Sequence, residues 1–258
     1  MLKRKRQQKY LIKRWLEMRC QLHAFVNSGN QEALHKLRVE IKKIKAFTKF
    51  MKLYKGKERA VQLKNIKEIF HHAGIIREAN INLQMMKKFD NNHKEFGTEE
   101  THIVQEESVK FRSHTTRYNK DISNEVKSLL KALGPVRNSD IKHWFSRQLK
   151  AIASIVVVSS TDQLHQARKK IKRLIYVHGI LHKRLVDTLK LNINYLDQLQ
   201  DAIGKWHDTA LAVNLLISRK AGNKVTLNKL QKEQEKTDTT IHAISDGFWD
   251  KVKQEDIK

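Results

Sequence analysis

Residues 35–43 read HKLRVEIKK and residues 165–173 read HQARKKIKR, so His, Arg, Ile, Lys and a further base recur at the same internal spacing, 130 residues apart. A second pair keeps that offset. Gly74, Arg77 and Glu78 stand opposite Gly204, His207 and Asp208, and Ile66 and Ile69 stand opposite Leu196 and Leu199. Two separated blocks that share one offset mark an internal duplication with no net insertion between the blocks. The chain's single Pro, in Gly134-Pro135, falls between the copies, where a helix has to stop. This predicts two repeats, over residues 1–133 and 136–258.

Within each copy the period is helical. Leu34, Leu37, Ile41, Ile44 and Met51 form one side of a helix. His35, Arg38, Lys42, Lys45 and Lys49 fall within an arc of about 80° at ~100° per residue. One Pro and nine Gly in 258 residues leave too little punctuation for the turns of a β-sandwich or barrel, so the predicted class is all-α. Helices are predicted over 3–27, 31–54, 58–90 and 98–131 in the first copy, and over 140–159, 162–185, 190–219 and 224–253 in the second. The breaks fall at Asn27 to Asn30, Gly56, Asn91-Asn92, Gly97, Ser159 to Asp162, and Gly222-Asn223. Four long antiparallel helices with short connections make a four-helix bundle, and two such bundles follow in tandem.

Charge says what the helices are for. The chain carries 52 Lys and Arg against 27 Asp and Glu, a formal charge of +25. Solvated helices ordinarily mix signs, because a Glu four residues before a Lys adds a few tenths of a kcal/mol. Residues 36–55 instead hold eight basic residues and one acid, Glu40; residues 165–184 hold seven and no acid. A face of adjacent like charges is electrostatically strained until an anion relieves it. A plain solubility face is the competing reading, but recurrence at equivalent positions, with His, Arg and Lys in the same order, weighs against it. Inorganic polyphosphate, nucleic acid and anionic lipid all suit such a face.

The His-x-x-Arg-x-x-x-Lys-Lys/Arg helix, followed some 30 residues later by Gly-x-x-Arg/His-Glu/Asp and then duplicated, resembles the CHAD family, the conserved histidine α-helical domain. The resemblance covers nearly the whole chain and rests on the paired motifs. It implies two pseudo-symmetric four-helix bundles that bind inorganic polyphosphate, with His35, Arg38, Lys42 and Lys43 in one half of the site and His165, Arg168, Lys172 and Arg173 in the other. Lys45, Lys49, Arg77, Lys169 and His207 join these as candidate ligands. Glu78 and Asp208 read as carboxylates that hold a part-buried Arg38 or Arg168 in place. The copies differ: His207 replaces Arg77, and Ile175 and Gly179 replace Lys45 and Lys49, which makes the first half the stronger.

Other chemistry finds little support. Cys20 is the single cysteine, which excludes an intramolecular disulfide and a cysteine metal cage and fits a reducing compartment. The basic start (Lys3, Arg4, Lys5, Arg6) leads into a charged amphipathic stretch, and the longest apolar run, near Ile155 to Val158, is too short to span a bilayer; no transmembrane segment and a cytoplasmic location, with association to polyphosphate granules, are expected. His178 and His182 have zinc-like spacing, but no acid lies between them, and a core or surface role fits better. His71 and His72 point to different faces of their helix, so only one of them can join Lys64 and Lys67. His35 as a phosphoryl acceptor lacks an acidic magnesium cluster or a Gly-rich phosphate loop. The sequence therefore predicts a binder that is not an enzyme, with no cofactor and no metal. Nucleic acid is the alternative ligand, although the cationic stretches offer few stacking platforms beyond Phe47, Phe50, Tyr54 and Tyr176.

Overall fold

The computed structural model of the protein describes residues 1–55, 63–89, 94–156, 161–219 and 224–253. The described residues are all-α; their only extended pairings are two isolated bridges, Leu2 with Val136 and Leu191 with Lys253. The helices are α1 (Arg4–Ser28), α2 (Gln31–Lys55), α3 (Lys64–Phe89), α4 (Lys94–Ser113), α5 (Thr115–Lys131), α6 (Asn138–Val156), α7 (Thr161–His178), α8 (Lys183–Leu189), α9 (Ile193–Ser218), α10 (Lys224–Ser245) and α11 (Phe248–Lys251). They form two compact units, Lys3–Pro135 and Val136–Lys258, the second of which also takes in Met1 and Leu2.

In the N-terminal unit α1 packs on α2 and α5, and α3 packs on α2, α4 and α5. Gly29 closes α1 in the left-handed region (φ 68°), where a side chain is disfavoured, and Asn30 opens α2 by accepting a hydrogen bond from the Glu32 N–H at 2.8 Å. Leu34, Leu37, Ile41 and Ile44 are fully buried, as the apolar stripe of α2 requires. The helix predicted over 98–131 is two helices that break at His114, whose ring lies against Tyr118. Gly97 is no break: it lies inside α4, where its carbonyl accepts from the Thr101 hydroxyl. The buried Glu125 of α5 holds the start of α3, accepting from the N–H groups of Asn65 and Ile66.

In the C-terminal unit α7 packs between α6 and α9, and α10 packs along α9. The helix predicted over 162–185 ends earlier, at His178. The chain reverses through Gly179 to Leu181, and His182 then caps α8 by accepting from the Leu185 N–H. The helix predicted over 224–253 ends at Ser245, and Gly247 (φ 61°) turns the chain into α11. The breaks predicted at Gly56, Asn91-Asn92, Ser159-Ser160 and Gly222-Asn223 lie outside the described residues.

One polar cluster fixes α1 on α2. Glu40 is 7% exposed; one carboxylate oxygen accepts from Arg14, which is 9% exposed, and the other from Lys43, both at 2.7 Å. Removing one member of a buried ion pair strands the charge of the other and costs about 3–5 kcal/mol. Glu40→Ala is therefore expected to lower unfolding stability by ~3 kcal/mol, read from the midpoint of a urea titration, whereas the exposed Glu32→Ala is expected to change it by less than ~0.5 kcal/mol.

Candidate functional site

Helix α2 carries its charges on two different faces. Glu40 lies about 160° around the helix from Arg38, so the stretch's one acid is spent on Arg14 of α1. Lys43 pairs with Glu40 and lies about 140° around the helix from Arg38, outside the arc of His35, Arg38, Lys42, Lys45 and Lys49.

That surface meets α3. The Arg38 guanidinium donates to the backbone carbonyl of Phe70 and lies with its Cζ 4.0 Å from the centre of the Phe70 ring. Lys45 Nζ sits 4.4 Å from the same ring and Lys42 Nζ 6.0 Å from it. One turn further along α3 is Gly74, where a Cβ would stand 2.6 Å from Arg38 Nη1. The glycine is thus the opening that lets a guanidinium lie flat on the backbone of a helix. Burial first, and then the charge of Arg77, disfavour the cationic form of Arg38, with Glu78 acting the other way. His35 is held below the ordinary histidine value by burial and then by Arg77, and Lys45 below the ordinary lysine value by burial and then by Lys49 and Lys67.

The C-terminal unit repeats this arrangement at an offset of 130. Arg168 Nε donates to the backbone carbonyl of Gln200 at 3.2 Å, and a Cβ on Gly204 would come within 2.9 Å of Arg168 Nη2. Lys172 donates to Gln200 Oε1 at 2.9 Å, while Gln200 Nε2 donates to Asp197 at 3.0 Å and to Asp201 at 2.6 Å. The rings of His165 and His207 lie 4.4 Å apart, in the place where His35 and Arg77 interact in the first unit. Burial lowers the pKa of His207, with Asp208 opposing and Arg168 and Lys169 reinforcing. Lys172 is shifted down by burial and then by Arg168. Arg173, in register with Lys43, is half-buried, and burial alone disfavours its charge.

The hydrogen bonds of the two central arginines go elsewhere than the sequence predicts. Backbone carbonyls at positions 70 and 200 hold Arg38 and Arg168, while Glu78 and Asp208 are exposed and act through their charge on Arg38 and His207. Sequence reading misses Phe70 and Gln200 because a carbonyl acceptor has no residue identity to detect. Their only signal is position, one turn before each motif glycine. His72, the neighbour of His71, lies on the other side of α3, bonded to the Tyr118 hydroxyl at 2.6 Å and to the Glu107 carbonyl at 3.1 Å, so it stands apart from the cations. Among the described residues no group of three or more His, Cys, Asp or Glu is placed to hold a metal ion, and no helix is long and apolar enough to cross a membrane.

Residues 10–216 match the sequence profile of the CHAD domain. The fold is similar to the crystal structure of the CHAD domain from the plant Ricinus communis, with a TM-score of 0.71 at 15% identity over 94% of this chain and 91% of that one. No curated protein matches the chain.

The fit between glycine and arginine has a measurable consequence. Gly→Ala in a helix interior is worth about 1 kcal/mol of added stability, and the three closest atoms to the added methyl at position 74 all belong to Arg38. Gly74→Ala is expected to yield no such gain in the native background and to stabilise by ~1 kcal/mol in an Arg38→Ala background, a coupling read from a double-mutant cycle of urea unfolding.

Proposed function

The chain belongs to the CHAD domain family, and we propose that it binds inorganic polyphosphate, without chemical change to it, through the cation faces centred on Arg38 in one unit and Arg168 in the other. The observation that carries this reading is the part-burial of cations beside other cations. His35, Arg38, Lys45, Lys172 and His207 all have their charged forms disfavoured by burial and by neighbouring positive charge. Such an arrangement costs stability unless an anion arrives, and it gains most from a ligand with many closely spaced charges. Polyphosphate carries roughly one charge per phosphate and offers only oxygen acceptors, which suits point-charge lysines together with a forked guanidinium.

The reading is of a binder and not an enzyme, because among the described residues no three His, Cys, Asp or Glu are placed to hold a metal ion such as magnesium, and Asp197 and Asp201 are engaged by Gln200. A cytoplasmic location, with attachment to polyphosphate granules, accords with the charge and with the single cysteine.

The test is a competition titration at two salt concentrations, with labelled long-chain polyphosphate against unlabelled RNA, DNA and pyrophosphate. The native chain is expected to prefer polyphosphate to nucleic acid of equal phosphate number, and an Arg38→Ala/Arg168→Ala variant to lose that preference. Equal competition by RNA, unchanged in the variant, refutes the reading and leaves a diffuse basic field.

A pH dependence follows with a definite sign. A bound polyanion favours protonated histidine, so His35 and His207 have higher pKa values in the complex than in the free protein, where both are depressed. Binding therefore takes up protons. Affinity is expected to rise as pH falls from about 8 to about 6, and His35→Gln/His207→Gln is expected to flatten the profile. Calorimetry in buffers of different ionisation enthalpy measures the proton uptake directly.

A further inference from the structure

The two cation faces are built on the same frame but charged differently: the second motif helix lacks counterparts of Lys45 and Lys49, and α3 and α9 differ as well. On α3, Lys67, Phe70 and Gly74 follow one another at helical spacing; in register on α9 stand Asp197, Gln200 and Gly204, and His71 is matched by Asp201. Phe70 gathers Arg38, Lys42 and Lys45 around one ring, at 4.0, 6.0 and 4.4 Å. Gln200 instead receives Lys172 on its carbonyl oxygen and passes the interaction to Asp197 and Asp201 through its amide.

These are two ways of keeping like charges together, with opposite consequences for a ligand. A ring attracts a cation through its quadrupole and leaves the net charge of the cluster intact. A nearby carboxylate, such as Asp197 or Asp201 beside Lys172, favours the cation through its charge and offsets it, so the face presents less net positive charge to an arriving phosphate. The face of Phe70 is also taken up by cations, so it offers no platform for a nucleobase, the contact that single-stranded nucleic acid binders exploit.

We propose that Phe70 is a positioning residue that gathers the cations of the N-terminal unit for phosphate oxygens, and that Asp197 and Asp201, acting through Gln200, attenuate the face of the C-terminal unit. This rests on the polyanion reading of the same faces and assigns the roles within it. The N-terminal unit is the stronger half of the proposed binding capacity because its motif helix adds Lys45 and Lys49 and because an aromatic ring, rather than nearby carboxylates, holds its cations.

The experiment uses the full chain with labelled long-chain polyphosphate and compares native protein, Phe70→Leu, Phe70→Tyr and Asp197→Asn/Asp201→Asn, with urea midpoints measured alongside. Phe70→Leu is expected to weaken binding about tenfold, the equivalent of two lost cation–π contacts, and to reduce its salt dependence because fewer cations engage. Phe70→Tyr is expected to stay within about twofold of native because the ring remains. The double Asn variant is expected to bind at least about threefold more tightly as the charge of Lys172 is no longer offset. Phe70→Leu within twofold of native, or an equal loss in Phe70→Tyr, overturns the role of the ring; unchanged affinity in the double Asn variant overturns the attenuation. If native protein binds RNA as well as polyphosphate, the polyphosphate reading fails while the same ratios, measured with RNA, still decide the role of Phe70. If native protein binds neither polyanion, both are overturned.

Discussion

A guanidinium laid flat on the backbone of a neighbouring helix is the interaction on which both units depend. Arg38 and Arg168 reach the carbonyls of residues 70 and 200 and occupy space that a side chain at residue 74 or 204 would contest. A glycine in mid-helix costs about 1 kcal/mol in propensity, and an unpaired buried guanidinium costs more than that. The glycine's cost is the smaller of the two and is accepted twice, at the same offset. The arginine in turn fixes the spacing of α2 from α3 and of α7 from α9, which sets where the remaining cations of each motif helix stand.

The sorting of charge around α2 follows from its two neighbours. Toward α1 the helix presents Glu40, and a buried carboxylate balances Arg14 and Lys43. Toward α3 it presents cations, answered by a carbonyl and an aromatic ring at Phe70. The same run of residues therefore serves two purposes. On one side charge is neutralised to hold helices together, and on the other it is kept in excess. Counting eight bases against one acid understates the contrast, since that acid acts wholly on the side away from the excess.

What could be read from the sequence and what could not divide along a physical line. Helix content, the apolar stripe of α2 and the recurrence of Arg38 and Gly74 at one offset all leave periodic or repeated signatures in residue identity. Glu78, expected to hold Arg38 in place, favours its charge from an exposed position, while the hydrogen bond goes elsewhere, because a part-buried cation needs an acceptor that need not be an acid. A backbone carbonyl, invisible in a sequence, meets that need. The resemblance places Lys43 among the candidate ligands, whereas its helical angle, about 140° from Arg38, and its pairing with Glu40 set it outside the arc of the other cations. The breaks at His114 and His178 differ: His-Thr is not a strong stop, whereas Gly179 after His178 is one that the apolar period of the flanking residues hides, and the packing of His114 on Tyr118 and the capping by His182 are contacts that propensity does not register.

Magnitudes decide how much of the excess charge is left for a ligand. Two cations about 6 Å apart on one helix face repel by ~0.7 kcal/mol in water and ~3 kcal/mol at an effective dielectric near 20, the regime of part-buried groups. A cation–π contact returns about 0.5–2 kcal/mol. The Phe70 ring therefore offsets part of the mutual repulsion of Arg38, Lys42 and Lys45 and cannot cancel it, and the positive potential of the N-terminal unit survives folding. In the C-terminal unit Asp197 and Asp201 lie close enough to Lys172 to favour its charged form, which lowers the potential along with the strain. By that measure the two units share the frame that holds their arginines and differ in the positive charge their faces retain.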